Sequence, residues 1–213
     1  MYNILCLSSN IKYYICDIHS EVSEMADIYK ITEVISKVLQ ILCIIAAVGT
    51  LIGGAALIAL NDSDLVKDNN TLEDDDHIVD ACGMIVSTAF VSADEQYKAT
   101  GAALIVCAVL YGLLAMVFRN IYLIVRTARG GTWFSKGETP FQDDNIRMVR
   151  EIGIFLIAMY IVQLVGTGIV HLVASHVESS TSMMVLFLGI IMICLSKIFE
   201  YGKGLEEAQE GLI

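Results

Sequence analysis

The chain has 213 residues, 56% hydrophobic and only 17% charged, with a single proline and a formal net charge of −11. A soluble domain of this length cannot hide so much apolar surface, and so little charge and proline exclude a long disordered chain. Almost the whole acidic excess lies in one loop, so it describes that loop rather than the molecule.

Four uncharged apolar stretches organise the chain, at about 38–60, 100–118, 152–170 and 182–196. The hydrocarbon of a bilayer is about 30 Å thick and takes ~20 helical residues to cross, so each is read as a membrane span. In lipid every backbone polar group must pair internally, which leaves helices or closed barrels. Stretches apolar on all faces lack the alternation of barrel strands. The expected fold is all-α: an integral membrane four-helix bundle occupying 25–213. Its spans are expected at about 36–60, 99–126, 140–175 and 181–203, with a structured outer loop at 61–98.

Residues 1–24 precede this domain as an extension. They lack the basic n-region, apolar core and small-residue cleavage site of a secretory signal. Met25, followed by Ala26-Asp27-Ile28-Tyr29-Lys30, reads as an alternative start that leaves 1–24 outside the native fold. The other reading is a cytoplasmic arm resting on the membrane through Tyr13, Tyr14 and Ile15. In the first span Gly49 and Gly53 form a GxxxG, which lets helix backbones approach closely. Packing inside the bundle is its favoured use, and homodimerisation the alternative.

The loop at 61–98 is too long for a plain link. It holds Asp62, Asp64, Asp68, Glu73, Asp74, Asp75, Asp76, Asp80, Asp94 and Glu95 against Lys67, with Lys98 at its end. Asp74, Asp75 and Asp76 offer oxygens to a cation or a partner, but their spacing misses the pattern of a calcium loop. A solvated acidic face is the favoured reading. Residues 83–91 are apolar but too short to cross, and read as a strand or a short helix on the outer surface. Among the six cysteines, Cys43, Cys107 and Cys194 lie inside apolar spans as small hydrophobes, and no Cys-x-x-Cys occurs.

Between the second and third spans, Arg129-Gly130-Gly131 ends a helix, and Trp133 and Phe134 suit the headgroup level. Thr139 is read as the N-cap of the third helix, Pro140 as a first-turn residue and Gln142 as the partner that closes a capping box. Asp143 and Asp144 suit the positive end of the helix dipole. Asp143 and Arg147 are spaced as an i, i+4 pair. Arg119, at the end of the second span, can snorkel to the interface or pair with Glu200 on the fourth.

Lys30, Lys37, Arg119, Arg126, Arg129, Lys136, Arg147, Arg150, Lys197 and Lys203 all flank one side of the spans. The acidic loop and the 175–181 turn carry almost no basic residues. The positive-inside rule then puts both termini and the central loop in the cytoplasm.

The run Gly137, Thr139-Pro140-Phe141, Asn145, Arg147, Arg150 and Ile152-Gly153 has a counterpart at the end of the chain. There Ile198-Phe199-Glu200-Tyr201-Gly202-Lys203-Gly204-Leu205-Glu206-Glu207 leads to Gly211-Leu212-Ile213. Together these resemble the four-span bacterial membrane proteins grouped as domain of unknown function 2975. The resemblance covers about 25–213; the acidic run and residues 1–24 are not features of that family. It implies a multi-pass protein of the bacterial plasma membrane with no established activity, often found beside a small helix-turn-helix regulator of the Cro/repressor type. It also makes Gly137, Pro140, Phe141, Asn145, Arg147, Gly202 and Leu205 motif positions with no catalytic role.

The centres of the spans hold no Asp, Glu, Lys or Arg, the groups that mark ion-coupled transport or catalysis at bilayer depth. His171 and His176 are spaced i, i+5, which serves one metal poorly, and His77 lies in the acidic loop. No Gly-x-Ser-x-Gly, P-loop or His-Glu-x-x-His motif is present. No catalytic residue, cofactor or metal site is therefore expected. The leading reading is a non-enzymatic sensory or regulatory component whose cytoplasmic face acts with a soluble regulator, without binding nucleic acid itself. A second is a small transporter or exporter subunit with a polar cavity lined by Tyr111, Tyr160, Gln163, Thr167 and His171. A third is a surface protein whose acidic outer loop binds a partner or cation.

Overall fold

A computed structural model describes the backbone of residues 2–61, 78–81, 84–87, 93–128, 142–173 and 178–210, and side chains over 28–59, 97–128, 142–173 and 181–209. Four long helices carry the fold: α1 (Tyr2–Asn61), α2 (Ala93–Ala128), α3 (Asp143–Val173) and α4 (Met184–Glu210). Each holds a segment long and apolar enough to cross a membrane. The α1 helix extends upstream of the span expected at 36–60, with residues 2–24 helical and continuous with the rest, and the α4 helix extends beyond the span expected at 181–203 to Glu210.

The connections opposite the basic end add strands. β1 (Ile78–Ala81), β2 (Met84–Ser87) and β3 (Glu178–Thr181) form one antiparallel sheet in the order β1-β2-β3. β1 meets β2 with Ala81 opposite Met84, and β2 meets β3 with Met84 opposite Thr181. The all-α expectation holds for the four spans and is corrected in these connections. Ile85 and Val86 are good strand residues, and as part of the central strand they pair on both edges. The short turn expected at 175–181 contributes the third strand.

The helices pack in chain order, α1 on α2, α2 on α3 and α3 on α4. The bundle is therefore open, with α2 and α3 at its centre and α1 and α4 as flanks. One face of α2, with Ala99, Ala103, Cys107 and Leu110 at a spacing of three or four, meets Ile152, Leu156, Met159 and Val170 of α3. The flanks turn apolar side chains outward, among them Ile44, Ile45 and Ile52 on α1 and Phe187 and Ile191 on α4.

Two glycine pairs fix the outer helix distances. A Cβ on Gly54 would lie 2.8 Å from the Gly101 carbonyl oxygen, and one on Gly153 would lie 2.8 Å from that of Gly189. α1 touches α2, and α3 touches α4, backbone to backbone at these points. The expected GxxxG is not the contact. Gly49 has nothing within 4 Å of an added Cβ, and Gly53 has only Leu104 at 4.0 Å. The packing role falls to Gly54 because it, not Gly49, lies on the α2-facing side of the helix.

The register of α3 against α4 is set three times. Gly153 faces Gly189, the buried Ser196 hydroxyl donates to the Ile146 carbonyl at 3.0 Å, and Lys203 reaches Asp143. Met184 consequently stands level with Ala158, so α3 continues for ~15 residues, about 22 Å, beyond the start of α4. β3 occupies this step, packed against α3.

Candidate functional site

Apart from Lys98 at the start of α2, the lysines and arginines among the described residues gather at one end of the helices. Lys37 of α1 lies 5.0 Å from the centre of the Tyr122 ring of α2. Arg126 donates to the Tyr122 hydroxyl at 2.8 Å. Tyr122 thus joins two cations across the α1–α2 seam.

A polar cluster lies between α2 and α3 at the same end. Val117, Asn120 and Thr127 continue the α2 face that meets α3, and all three are buried. On α3, Arg147 and Glu151 share a face at i, i+4 spacing. Arg147 Nε donates to Glu151 Oε1 at 2.8 Å, and Asn120 Nδ2 donates to Glu151 Oε2 at 3.3 Å. The hydrogen bond and charge of Glu151, with Asp144 further off, hold the Arg147 guanidinium above its usual range. Beside this group opens a cleft of about 370 Å³ whose lining includes Met116, Arg119, Asn120, Asp144, Arg147 and Met148. Its walls are mixed: two thioether side chains, one amide and charges of both signs.

A second cluster ties α3 to α4. Lys203 Nζ donates to both carboxylate oxygens of Asp143 at 2.8 Å and lies 3.3 Å from Glu207. These two acids hold the Lys203 ammonium above its ordinary range. Lys197 bonds Glu200 at 2.7 Å on its own helix and draws that carboxyl below its ordinary range.

Several expected contacts are corrected. Arg119 does not pair with Glu200: α3 stands between their helices, and the register puts Arg119 level with Ile152 but Glu200 about 15 Å lower. Asp143 does not pair with Arg147, because Lys203 takes Asp143 and Glu151 takes Arg147. The third helix begins later than expected. The Ile146 N–H donates to the Gln142 carbonyl at 3.0 Å, so Gln142 itself occupies the N-cap place. Asp143 and Asp144 do lie in the first turn.

Of the motif positions, Asn145 is buried, Arg147 lines the cleft, Gly202 is half-buried and Leu205 is exposed. The Lys203–Asp143 clasp brings the two motif stretches side by side. Gly137, Pro140 and Phe141 lie outside the described residues, as do Thr139, Asp74, Asp75, Asp76, His77 and His176. Gln163 is fully buried, Tyr111, Tyr160 and Thr167 are half-buried and His171 is exposed. The Thr167 hydroxyl has no hydrogen-bond partner among the described residues. No group of three His, Cys, Asp or Glu side chains suited to a metal occurs among the described residues.

Asn120 and Glu151 are central to the site, yet nothing in the expected pairings pointed to them. The available signal was positional: Glu151 abuts the apolar run at 152–170, and Asn120 follows the run at 100–118 by two residues. No family model matches the chain, and neither a curated protein nor a solved structure matches it.

Proposed function

We propose that the protein is a non-enzymatic, multi-pass component of the bacterial plasma membrane, of the domain of unknown function 2975 group, with both termini in the cytoplasm. In this reading it serves as the sensory or regulatory partner of a soluble helix-turn-helix protein. The apolar flanks of α1 and α4 support the membrane part, because such faces are at no disadvantage in hydrocarbon but are costly in water. The basic end of the helices supports the orientation.

The observation that carries the regulatory part is the end of α4. From Ser196 to Glu210 the helix runs about 20 Å beyond its apolar segment. Lys203 clasps it to Asp143, and it presents Tyr201 and Leu205, 70% and 52% exposed, beside Glu206 and Glu207. A fixed rod with aromatic, aliphatic and acidic side chains offers both anchor and charge to a basic soluble protein. The test is affinity purification through an N-terminal tag after mild solubilisation. A helix-turn-helix protein should co-purify and be lost from the Tyr201→Ala, Leu205→Ala double variant. Recovery of no soluble partner under several growth conditions overturns the proposal.

A further inference from the structure

We infer that the cleft between α2 and α3 binds the phosphoethanolamine headgroup of a cytoplasmic-leaflet phospholipid. This rests on the membrane reading above and is independent of the regulatory one.

Charge bookkeeping inside the cleft carries the inference. Arg147 and Glu151 neutralise one another, and Asn120 takes the second oxygen of Glu151. Arg119 and Asp144 remain, on opposite sides of this neutral centre. Neither makes a hydrogen bond or a close ion pair to any described residue, and Asp144 acts on Arg147 only through longer-range charge. One unsatisfied cation and one unsatisfied anion complement a zwitterion rather than an anion or a cation.

Their depths give the zwitterion a direction. Arg119 directly follows the apolar run at 100–118, at the hydrocarbon edge. Asp144 lies about 10 Å, two helical turns, to the cytoplasmic side of Glu151. A phospholipid likewise joins its phosphate to the glycerol and carries its ammonium at the far end of a short flexible arm, which can tilt toward water to reach Asp144. The Arg119 guanidinium matches phosphate oxygens in a fork. The Asp144 carboxylate accepts from the N–H donors of a primary ammonium, which a quaternary choline lacks. Met116, one turn to the hydrocarbon side of Arg119, supplies an adaptable apolar wall for the glycerol end, and Met148 lines the stretch between the two charges. The cleft volume, about 370 Å³, lies in the range of small-ligand sites.

The test is native mass spectrometry of the delipidated full chain, titrated with short-chain phosphatidylethanolamine, phosphatidylcholine and phosphatidylglycerol. The protein should retain phosphatidylethanolamine about tenfold more tightly than the other two. Arg119→Gln should abolish most of that retention, and Asp144→Asn should bring phosphatidylethanolamine level with phosphatidylcholine while leaving helical content unchanged. Equal retention of the three lipids, or a preference untouched by both variants, overturns the inference. Free phosphoethanolamine, run as a separate arm, should bind far more weakly; binding as tight as that of the lipid would identify a soluble phosphoamine and overturn the lipid assignment. Carbonate extraction separates the two levels of failure. If the protein stays with the bilayer while lipid preference is absent, only this inference fails. Release from the bilayer overturns the membrane reading itself.

Discussion

At the scale of single residues, glycine position matters more than glycine spacing. An added methyl at Gly54 or Gly153 meets a carbonyl oxygen at 2.8 Å, and backbone cannot move aside as a side-chain tip does. Gly54→Ala and Gly153→Ala should each lower stability by about 1–3 kcal/mol, the usual cost of overpacking. Gly49→Ala should be neutral or slightly stabilising, since it meets open space and alanine is the better helix former. Thermal unfolding of the three variants in one detergent checks the ranking. The contrast was not legible in the sequence, where Gly49, Gly53 and Gly54 differ only in which side of one helix they occupy. Glu151 was hidden for a related reason. Its charge is visible in the chain, but its restraint by Asn120 depends on how α2 slides against α3.

At the scale of elements, the four helices and their apolar segments could be read from composition alone, because hydrocarbon tolerates few other solutions. Their ends could be read less well. The capping grammar of α3 pointed to Thr139, whereas the first backbone hydrogen bond starts from Gln142. The clasp between Lys203 and Asp143 joins residues far apart in the chain, and no local pattern announces it. Lys203→Ala should speed hydrogen exchange over residues 200–210 while leaving 146–196 protected. The clasp should also depend on pH in one direction. Lys203 is raised above its ordinary value by Asp143 and Glu207. Its contribution is therefore complete below the ordinary lysine value and disappears as pH rises through the higher folded one. A spin label at Gln209 should be restrained at neutral pH and mobile only in strongly alkaline solution.

At the scale of the whole molecule, the offset between α3 and α4 is the largest departure from four aligned spans. Span lengths are written in the sequence; the register between spans is not, since it comes from Gly153 meeting Gly189 and Ser196 meeting Ile146. The offset predicts that spin labels at Leu172 and Met184 lie more than about 20 Å apart. Two helices joined by a tight turn at one level would place them at about 10 Å, a normal interaxial distance. The same offset gives the molecule two heights. On the α3 side the apolar rise from 152 to 170 is about 28 Å, while the helical apolar rise of α4 from 184 to 196 is only about 20 Å. A bilayer fitted to α3 is stretched or compressed at α4, at fractions of a kcal/mol for each Å of mismatch. Lipid thickness thereby becomes a mechanical load on the α3–α4 seam. In vesicles of increasing acyl length, the label at Gln209 should loosen progressively as α4 is drawn along α3, an elastic response built into an uneven hydrophobic wall.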